Sequence, residues 1–403
     1  MTLRAPSIVW AYAALAAAFL VANALKWPYG EGLRYPTLLF ERVPAQDLGG
    51  LVPKGLPQLD QARLKRSMAR LPAVRLGREV GNSLRIAGGQ TLDWAIWGGG
   101  ETPMLFMVAE FWVSRGLTAD RETQIDLVAA LIGKYSRRLQ KDGWTMVLVP
   151  VPTKVGTHRE LARWPLQGPG LLSVAEIRED RSDQVYGHLV ARLAEQGVAL
   201  VDLQAAFRES VARDPRRFLF PPSDSHWSGD GILVAASETA RQIARISPVH
   251  ARTLVAPAFH EFDYVGDFAR AFDPWEGFLS RLRPVWKFRE RLLSADAGRG
   301  YVDPANPTAL VVAVGTSYTG QYTSIPMPVG FAAQIGLHLE NAQVQSRPRA
   351  GKGSFEAFQV FWGERATIAR EFETRYGQGY PRIVVWEFPL RDIAVIENRD
   401  LPD

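Results

Sequence analysis

The sequence predicts an α/β fold with a mainly parallel sheet flanked by helices, preceded by one N-terminal transmembrane helix. From Thr118 onward, apolar segments rich in β-branched residues alternate with segments of helical period. This alternation is typical of a parallel sheet covered on both faces. Short polar motifs follow several of the apolar segments directly, where such a sheet presents side chains at its carboxyl edge. A long uncharged stretch near the N-terminus predicts the transmembrane helix.

The composition is that of a globular protein with a membrane element. Hydrophobic residues make up 47% of the chain and charged residues 22%, which excludes a disordered protein. The net charge of +5 is a small excess over many charges of both signs, and no basic run carries a nucleic-acid-binding motif. Nucleic acid is therefore not an expected partner. The chain contains no cysteine, which excludes thiolate chemistry and suits an oxidising compartment.

Residues 1–26 are predicted to form a membrane anchor. No charged residue lies between Arg4 and Lys26. The 19 residues from Ser7 to Leu25 would span about 28 Å as a helix, which is close to the thickness of a bilayer core. Residues 22–24 (Ala-Asn-Ala) resemble a cleavage site, so a cleaved signal peptide is the alternative. In either case, everything from Trp27 onward is expected on the export side of the membrane.

Two further regions follow the predicted anchor. Residues 27–94 are rich in Pro, Gly and Arg without a sustained period, and we interpret them as a stalk with irregular elaboration. Residues 95–403 are predicted to form the α/β domain. Its expected elements are a helix at 121–140, a strand at 144–151, a helix at 184–196, a strand at 198–203, a helix at 232–246, a strand at 309–314, a weaker strand at 342–345, a helix at 354–376 and a strand at 382–386.

Residues 247–307 interrupt the alternation and are predicted to be an insertion in this domain. The segment contains Trp275, Trp286, several phenylalanines and a basic run from Arg281 to Arg291. The simplest interpretation is an amphipathic insertion that packs its aromatic residues onto the domain. The alternative is a saccharide-binding wall or a docking surface for a membrane partner, because aromatic and arginine side chains combine flat apolar area with hydrogen-bond donors.

Two short motifs supply the residue types of a hydrolase-type catalytic site. The first runs from Asp224 through Ser225 and His226 to Trp227, just before a predicted helix. The second runs from Gly315 to Tyr318 and places Ser317 at the end of an apolar, valine-rich strand. A serine hydroxyl is a poor nucleophile until an imidazole accepts its proton. We therefore predict that Ser317 is the nucleophile, His226 its base, and Asp224 the group that orients the imidazole.

These motifs, with two others, resemble those of the SGNH-hydrolase-like periplasmic alginate O-acetyltransferases. The supporting motifs are Val149-Pro-Val-Pro-Thr-Lys154 and Val385-Trp-Glu-Phe-Pro389, and all four motifs occur in the family's order. In that family an Asp-Thr-His-Trp motif precedes the serine motif, which is a circular permutation of the usual SGNH order. Ser225 replaces the threonine here. The resemblance implies a circularly permuted SGNH-like fold and a periplasmic location, held at the inner membrane by the N-terminal helix.

The resemblance also implies an activity and its partners. Ser317 would accept an acetyl group and pass it to a hydroxyl of an exported polysaccharide, with alginate, cellulose and other exopolysaccharides left open as acceptors. A membrane-bound O-acyltransferase would deliver the acetyl group. An esterase with the same triad, which hands acetyl to water, is one alternative. A non-catalytic, glycan-binding scaffold of a secretion complex is another, and it is favoured if Ser317 and His226 lie far apart.

The remaining site candidates are less specific. The Ser317 N–H is the expected oxyanion donor, with weaker side-chain candidates beside it. Two further residues, at predicted strand ends, are candidates for substrate contact. The other histidines lack ligand-like spacing, so no metal and no cofactor are predicted. The weaker candidates are Tyr318, Thr319, Tyr322, Lys154 and Trp386, and the histidines set aside are His158, His188, His250, His260 and His338.

Overall fold

A computed structural model describes the α/β part of the chain. The residues it describes belong to one compact unit that draws on residues 93–164, 176–269 and 284–403. They are residues 95–98, 104–107, 110, 113–114, 116–159, 181–251, 254, 259–268, 287–293, 310–322, 330–339, 344–348, 353–376 and 382–395.

Helices and strands alternate through most of this unit. The strands are β1 (Ala95–Gly98), β2 (Met104–Met107), β3 (Trp144–Val151), β4 (Ala199–Leu200), β5 (Phe259–Val265), β6 (Lys287–Leu293), β7 (Val311–Gly315), β8 (Val344–Pro348) and β9 (Arg382–Pro389). The helices are α1 (Ala119–Lys141), α2 (Lys154–Thr157), α3 (Ser182–Glu195), α4 (Leu203–Arg213), α5 (Gly229–Ile246), α6 (Ser317–Gly320), α7 (Phe331–His338) and α8 (Ser354–Tyr376), followed by a 3-10 helix at Leu390–Val395.

The central sheet has five parallel strands in the order β4-β3-β9-β7-β8. Strand β9 lies between β3 and β7, and its register pairs Val151 with Pro389 on one side and Val314 with Trp386 on the other. Because all strands point the same way, their carboxyl ends meet at one edge. This register brings Glu387, the residue after Trp386, next to the turn that follows β7.

The sheet is buried on both faces, as its sequence predicts. Side chains alternate along β3, so that Val147 and Val149 enter one apolar core while Met146 and Leu148 enter the other. The first core includes α5 and α7, and the second includes α1, α3 and α8. The predicted α/β class with a mainly parallel sheet flanked by helices is confirmed.

Several elements depart from the sequence prediction, and two of these departures lie close to the site. Strand β3 and helix α8 have their predicted bounds, but the strand expected at 198–203 contains only Ala199 and Leu200. It ends early because the Asp202 side chain accepts a hydrogen bond from the Ala205 N–H and starts helix α4, which the sequence analysis missed.

The second departure lies in the predicted insertion at 247–307. Residues 259–265 and 287–293 of this segment form an antiparallel hairpin of β5 and β6, with Phe259 opposite Leu293 and Val265 opposite Lys287. Some twenty residues separate the two strands, so no short turn signal marks the pairing in the sequence. We call the described residues of this element, 259–268 and 287–293, the hairpin.

The predicted anchor at 1–26 and the predicted stalk at 27–94 lie outside the described residues. Among those that are described, no helix combines the length and the apolar character needed to cross a bilayer.

Truncation of Phe358 should test the packing of α8 on the sheet. Phe358 is fully buried, and its ring stacks on Trp386 with centroids 3.9 Å apart. Phe358→Ala should lower the free energy of unfolding by about 3–5 kcal/mol, because it removes apolar contacts and leaves a cavity. Urea unfolding measures this change. Val360→Ala, on the same helix at a position 37% exposed, is the control and should cost less than about 0.5 kcal/mol. Equal losses in the two variants would contradict the packing.

Candidate active site

Each predicted motif lies at, or just before, the N-terminus of a helix. The Ser228 side chain accepts a hydrogen bond from the Gly231 N–H and caps α5, so His226 lies two residues before this cap. Thr316 caps the short helix α6 in the same way by accepting from the Tyr318 N–H. Ser317 is therefore the first residue of a helix that begins directly after β7.

The structure brings Ser317, His226 and Asp224 together. The Ser317 Oγ lies 2.6 Å from the His226 Nε2, and the His226 Nδ1 lies 2.7 Å from the Asp224 Oδ1. An ionised carboxylate only accepts hydrogen bonds, so Nδ1 carries the imidazole proton and Nε2 accepts from the Ser317 hydroxyl. The His226 side chain is 12% exposed. This arrangement can transfer a proton from Ser317 to His226.

Asp224 is a buried carboxylate whose oxygens are saturated by donors. Oδ1 accepts from the backbone N–H of His226 at 2.8 Å as well as from its Nδ1, while Oδ2 accepts from the Tyr264 hydroxyl at 2.8 Å and the Asp267 N–H at 2.9 Å. Burial alone would raise the pKa of Asp224, but the hydrogen bonds and charge of His226 and the Asp267 N–H lower it to about 2. Asp224 is therefore ionised at neutral pH.

Tyr264 and Asp267 are functional residues that the sequence analysis missed. Besides contacting Asp224, the Asp267 side chain accepts from the Ser225 N–H at 2.8 Å and from the Ser225 hydroxyl at 2.5 Å. A Cβ added to Gly266 would overlap the Ser223 carbonyl, so glycine is needed for this close approach. The Gly-Asp pair after an aromatic strand was the available signal. Part of the predicted insertion therefore holds the loop that carries Asp224 and His226.

The structure corrects the prediction of Lys154 as a candidate for substrate contact. Its side chain is fully buried. Its ammonium group donates to three backbone carbonyls of the motif loop, those of Pro221 at 2.6 Å, Pro222 at 3.2 Å and Asp224 at 2.9 Å. Desolvation lowers the pKa of Lys154 to about 8, although the nearby carboxylates of Glu110 and Asp224 oppose this shift. Lys154 therefore fixes the loop backbone instead of contacting a ligand.

Arg391 supports the same loop from the 3-10 helix after β9. Its Nη1 donates to the Ser225 carbonyl at 3.0 Å, and its guanidinium lies 4.8 Å from the centre of the Tyr318 ring. The Glu110 carboxylate lies 3.9 Å away. The arginine joins the two motifs, because Ser225 belongs to the first and Tyr318 to the second.

Glu387, at the end of β9, fixes the turn that carries Ser317. Its Oε2 accepts from the N–H groups of Thr316 at 2.8 Å and Thr319 at 3.2 Å, and both threonine hydroxyls also bond to it. A Cβ added to Gly315 would overlap the Glu387 carboxylate and the Thr319 hydroxyl. Burial raises the pKa of Glu387 to about 7, Asp392 adds to this rise, and the hydrogen bonds from Thr316 oppose it.

These bonds leave one amide of the turn for a ligand. The N–H groups of Thr316 and Thr319 donate to Glu387, and that of Tyr318 donates to the Thr316 hydroxyl. Within the part of the chain that the structure describes, the Ser317 N–H donates to no acceptor. It is the group that the sequence analysis predicted as the oxyanion donor.

The three side-chain candidates for an oxyanion hole bond to other acceptors. The Tyr318 hydroxyl donates to the Ser225 carbonyl at 2.7 Å, Thr319 donates to Glu387 at 3.1 Å, and Tyr322 donates to Glu290 at 2.7 Å. All three side chains are buried. In this structure they support the two motifs and do not point a free donor at Ser317.

The structure also corrects the prediction of Trp386 as a candidate for substrate contact. Its side chain is fully buried between Phe355 and Phe358, and its Nε1 donates to the Ser354 hydroxyl at 2.8 Å. The side chain belongs to the core under α8, because β9 is the central strand and both of its faces are covered. It is therefore a packing residue of the core.

Asp224, His226 and Asp267 also have the donor types of a metal site. One ligand-type atom from each lies within 4.8 Å of the other two. However, both Asp224 oxygens already accept protein N–H or O–H groups, and the Ser225 hydroxyl bonds to Asp267. These bonds fit an oriented imidazole better than a cation site, since a ligand oxygen must turn its lone pairs to the ion.

Replacement of Glu387 by glutamine should change how stability depends on pH. The Glu387 carboxyl has a pKa of about 7 in the folded protein and 4.5 in its ordinary state, so the folded state binds more protons between these values. This group therefore makes the free energy of unfolding fall as pH rises through that window, by about 3 kcal/mol in all. Glu387→Gln still accepts the backbone N–H groups but does not titrate. Its stability relative to wild type should rise from pH 4.5 to about pH 8.

Urea unfolding at several pH values measures that difference. Ser237→Ala on α5, which changes no titratable group, is the control and should give a difference that does not change with pH. A pH-independent difference for Glu387→Gln as well would contradict the assignment.

Comparison with known proteins places the chain among acetyltransferase-related sequences. A family model described as the SGNH hydrolase-like domain of acetyltransferase AlgX matches residues 105–390. The probable alginate O-acetylase AlgJ of Pseudomonas putida is 26% identical over 301 residues, which cover 72% of this chain and 69% of that protein. Its counterpart from Pseudomonas fluorescens is 24% identical over 281 residues, which cover 68% of this chain and 63% of that protein.

A solved structure supports the fold. The O-acetyltransferase domain of Pseudomonas putida AlgJ superposes with a TM-score of 0.51 at 23% identity, covering 77% of this chain and 96% of that domain. The family match extends from β2 to the end of β9 and includes both motifs and the hairpin. The chain therefore belongs to the family of SGNH hydrolase-like acetyltransferase AlgX domains.

Proposed function

We propose that this protein is an O-acetyltransferase that carries acetyl on Ser317 and transfers it to a hydroxyl of an exported polysaccharide. The observation that carries the proposal is the hydrogen-bonded series of Ser317, His226 and Asp224, with a 2.6 Å contact between nucleophile and base. The family match and the relatives named alginate O-acetylases support acetyl as the group and alginate as the first acceptor to test. Cellulose and other exopolysaccharides stay as further acceptors.

In the first step, the Ser317 Oγ attacks the carbonyl carbon of the acetyl donor while its proton passes to the His226 Nε2. The carbonyl π electrons move to oxygen and form a tetrahedral oxyanion. The C–O bond to the donor then breaks, and the departing oxygen takes the proton from His226. Asp224 stabilises the transient imidazolium and keeps the Nδ1 proton in place.

The Ser317 N–H is the donor that we assign to the oxyanion. It lies at the N-terminus of α6 beside the reacting oxygen, and its neighbours in the turn are held by Glu387. A donor fixed before the reaction stabilises developing charge without reorganising. The buried Glu387 thus contributes indirectly, because it prevents the turn from moving as charge develops.

In the second step, a sugar hydroxyl attacks the acetyl-Ser317 carbonyl and gives its proton to His226. The Ser317 Oγ leaves as the tetrahedral intermediate collapses and recovers the proton from His226. Water performs the same step in an esterase, so the competition between water and sugar determines which activity dominates. The short Ser317–His226 contact supports a catalytic role over the scaffold alternative, which is favoured if these residues lie far apart.

The proposed setting follows from the same assignment. The polysaccharide is modified after export, so the protein would act in the periplasm, held at the inner membrane by residues 1–26. A membrane-bound O-acyltransferase would supply the acetyl group. The mechanism uses only protein groups, and we assign it no metal and no cofactor.

Loss of the Ser317 hydroxyl should abolish acetyl transfer. The purified full-length protein, incubated with p-nitrophenyl acetate, should gain the mass of one acetyl group, whereas Ser317→Ala should not. Alginate and cello-oligosaccharides added to the acetylated protein then compete with water, and mass spectrometry of the sugars measures transfer. Ser237→Ala on α5, away from the site, is the matched control and should behave as wild type.

The outcomes separate the candidate functions. Acetyl moving to one oligosaccharide faster than to water supports the transferase and identifies its acceptor. Release as acetate regardless of sugar would make the protein an esterase. An adduct that survives Ser317→Ala, or no adduct in wild type, would contradict the proposal.

Replacement of Asp224 by asparagine should slow the first step without weakening donor binding. The asparagine amide cannot accept from the imidazole in all orientations and favours the wrong tautomer, so kcat should fall by about 10³–10⁴ with little change in KM. Steady-state hydrolysis of p-nitrophenyl acetate measures both. Asp202→Asn, which preserves the cap of α4, is the matched control. A fall of less than about tenfold in Asp224→Asn would remove Asp224 from the triad.

A further inference from the structure

The hairpin contacts the first catalytic motif and the segment that follows the second, although it is not part of the central sheet. Its Tyr264 and Asp267 bind the carboxylate of Asp224. Its Glu290, on the second strand β6, is 1% exposed. Neither the family's motifs nor the proposed mechanism gives this buried carboxyl a role.

Glu290 bonds simultaneously to the chain after His226 and the chain after Ser317. Its Oε1 accepts from the Gly229 N–H at 2.9 Å, at the first residue of α5 and three residues after His226. Its Oε2 accepts from the Tyr322 hydroxyl at 2.7 Å, five residues after Ser317. One side chain therefore spans the gap between the segments that carry the nucleophile and its base.

Both partners of Glu290 are held in place by other contacts. A Cβ at Gly229 would overlap the Arg291 carbonyl, so β6 lies directly against the start of α5. Tyr322 has φ 63°, an unfavourable value for a bulky residue, and is 5% exposed. Its ring contacts Tyr264 with centroids 5.4 Å apart. Strained backbone of this kind persists only where surrounding contacts over-determine it.

Glu290 is costly to bury for packing alone. Among the described residues no cation lies within ion-pair distance of it, and the neighbouring Arg291 instead pairs with Asp230 at 2.7 Å. Desolvation raises the pKa of Glu290 to about 7, Asp230 adds to the rise, and its three hydrogen bonds, from Tyr322 and the N–H groups of Gly229 and Arg291, oppose it. Burial of a carboxyl group without a cation costs folding free energy, so packing alone does not explain Glu290.

We propose that Glu290 is a positioning residue that sets the distance between His226 and Ser317 by joining Gly229 to Tyr322. It acts through the backbone of α5 on one side and the segment after α6 on the other. The motifs are also joined directly, since the Trp227 Nε1 donates to the Tyr318 carbonyl at 3.0 Å and the Tyr318 hydroxyl donates to Ser225. Glu290 adds a link at the opposite end of both segments and prevents them from pivoting about Tyr318.

A matched pair of substitutions separates the effect of side-chain length at position 290 from the effect of its charge. Glu290→Gln keeps the length of the side chain and one acceptor oxygen but loses the charge. Glu290→Asp keeps the charge but is one methylene shorter, so it cannot bond to Gly229 and Tyr322 at once. Positioning predicts that the longer, neutral variant is the more active, whereas an electrostatic role predicts the reverse order.

The first test is the rate of Ser317 acetylation by p-nitrophenyl acetate in the full-length protein, measured as a p-nitrophenolate burst at about pH 8. Glu290→Asp should lower the acetylation rate by about tenfold or more with KM unchanged, because small displacements of reacting groups are costly. Glu290→Gln should lose less than about threefold. Tyr322→Phe, which removes one of the two links, should fall between them and add nothing when combined with Glu290→Asp.

Tyr186→Phe is the matched control for loss of a buried tyrosine hydroxyl. Tyr186 is 3% exposed, and its hydroxyl contacts Pro150, Val201 and Gln204 but neither motif. It should leave the acetylation rate unchanged. An aspartate variant more active than the glutamine variant would overturn the proposal. So would variants that lower the melting temperature but acetylate at the wild-type rate.

The second test does not require catalysis. The inference rests on the proposed function for its kinetic readout, so the low-field NMR signal of the His226 Nδ1 proton supplies an independent one. Glu290→Asp should shift or broaden that signal, while Tyr186→Phe should leave it as in wild type. An unchanged signal together with normal acetylation would overturn the positioning role alone. Absence of any Ser317 adduct in wild type would instead overturn the proposed function.

Discussion

The site depends on the saturation of one buried carboxylate. Asp224 is fully buried and ionised, so each of its oxygens must find donors inside the protein. It finds them in His226, in Tyr264 and in the Asp267 N–H. These donors come from two separate parts of the chain, the motif loop and the hairpin. Satisfying the carboxylate therefore assembles the hairpin onto the loop and aims the imidazole at Ser317.

Two further carboxyl groups near the site, those of Glu387 and Glu290, are also buried and accept several hydrogen bonds, but their effects differ from that of Asp224. Asp224 orients a side chain, whereas Glu387 binds the backbone of the turn that carries Ser317. Burial raises the pKa of Glu387 and Glu290, but donors and the imidazole lower that of Asp224. Ionisation of Glu387 and Glu290 lowers the free energy of unfolding, whereas ionisation of Asp224 raises it. Burial of Glu387 and Glu290 therefore costs stability at neutral pH, but their hydrogen bonds fix groups that must not move during acetyl transfer.

The sequence was a good guide where a local pattern coincided with the tertiary environment. Strand β3 and helix α8 have their predicted bounds because their apolar periods match the faces they bury. It failed at α4, because the capping Asp202 ends the preceding strand early and starts a helix that the sequence did not predict. It also misplaced Lys154, because a lysine after a strand is usually exposed. Here three backbone carbonyls supply the acceptors that its buried ammonium needs.

By itself, the sequence determined the α/β class and identified Ser317, His226 and Asp224 as the candidate catalytic residues. Strand ends and helix caps are local properties, and the chemistry of the three side chains does not depend on their surroundings. Only the tertiary structure decided that Tyr264, Asp267 and Glu290 belong beside them, because these residues reach the motifs through a hairpin that lies outside the central sheet. Hydrogen bonds between segments dozens of residues apart leave no periodic signal in the sequence, since each partner's role depends on a neighbour that folding alone supplies.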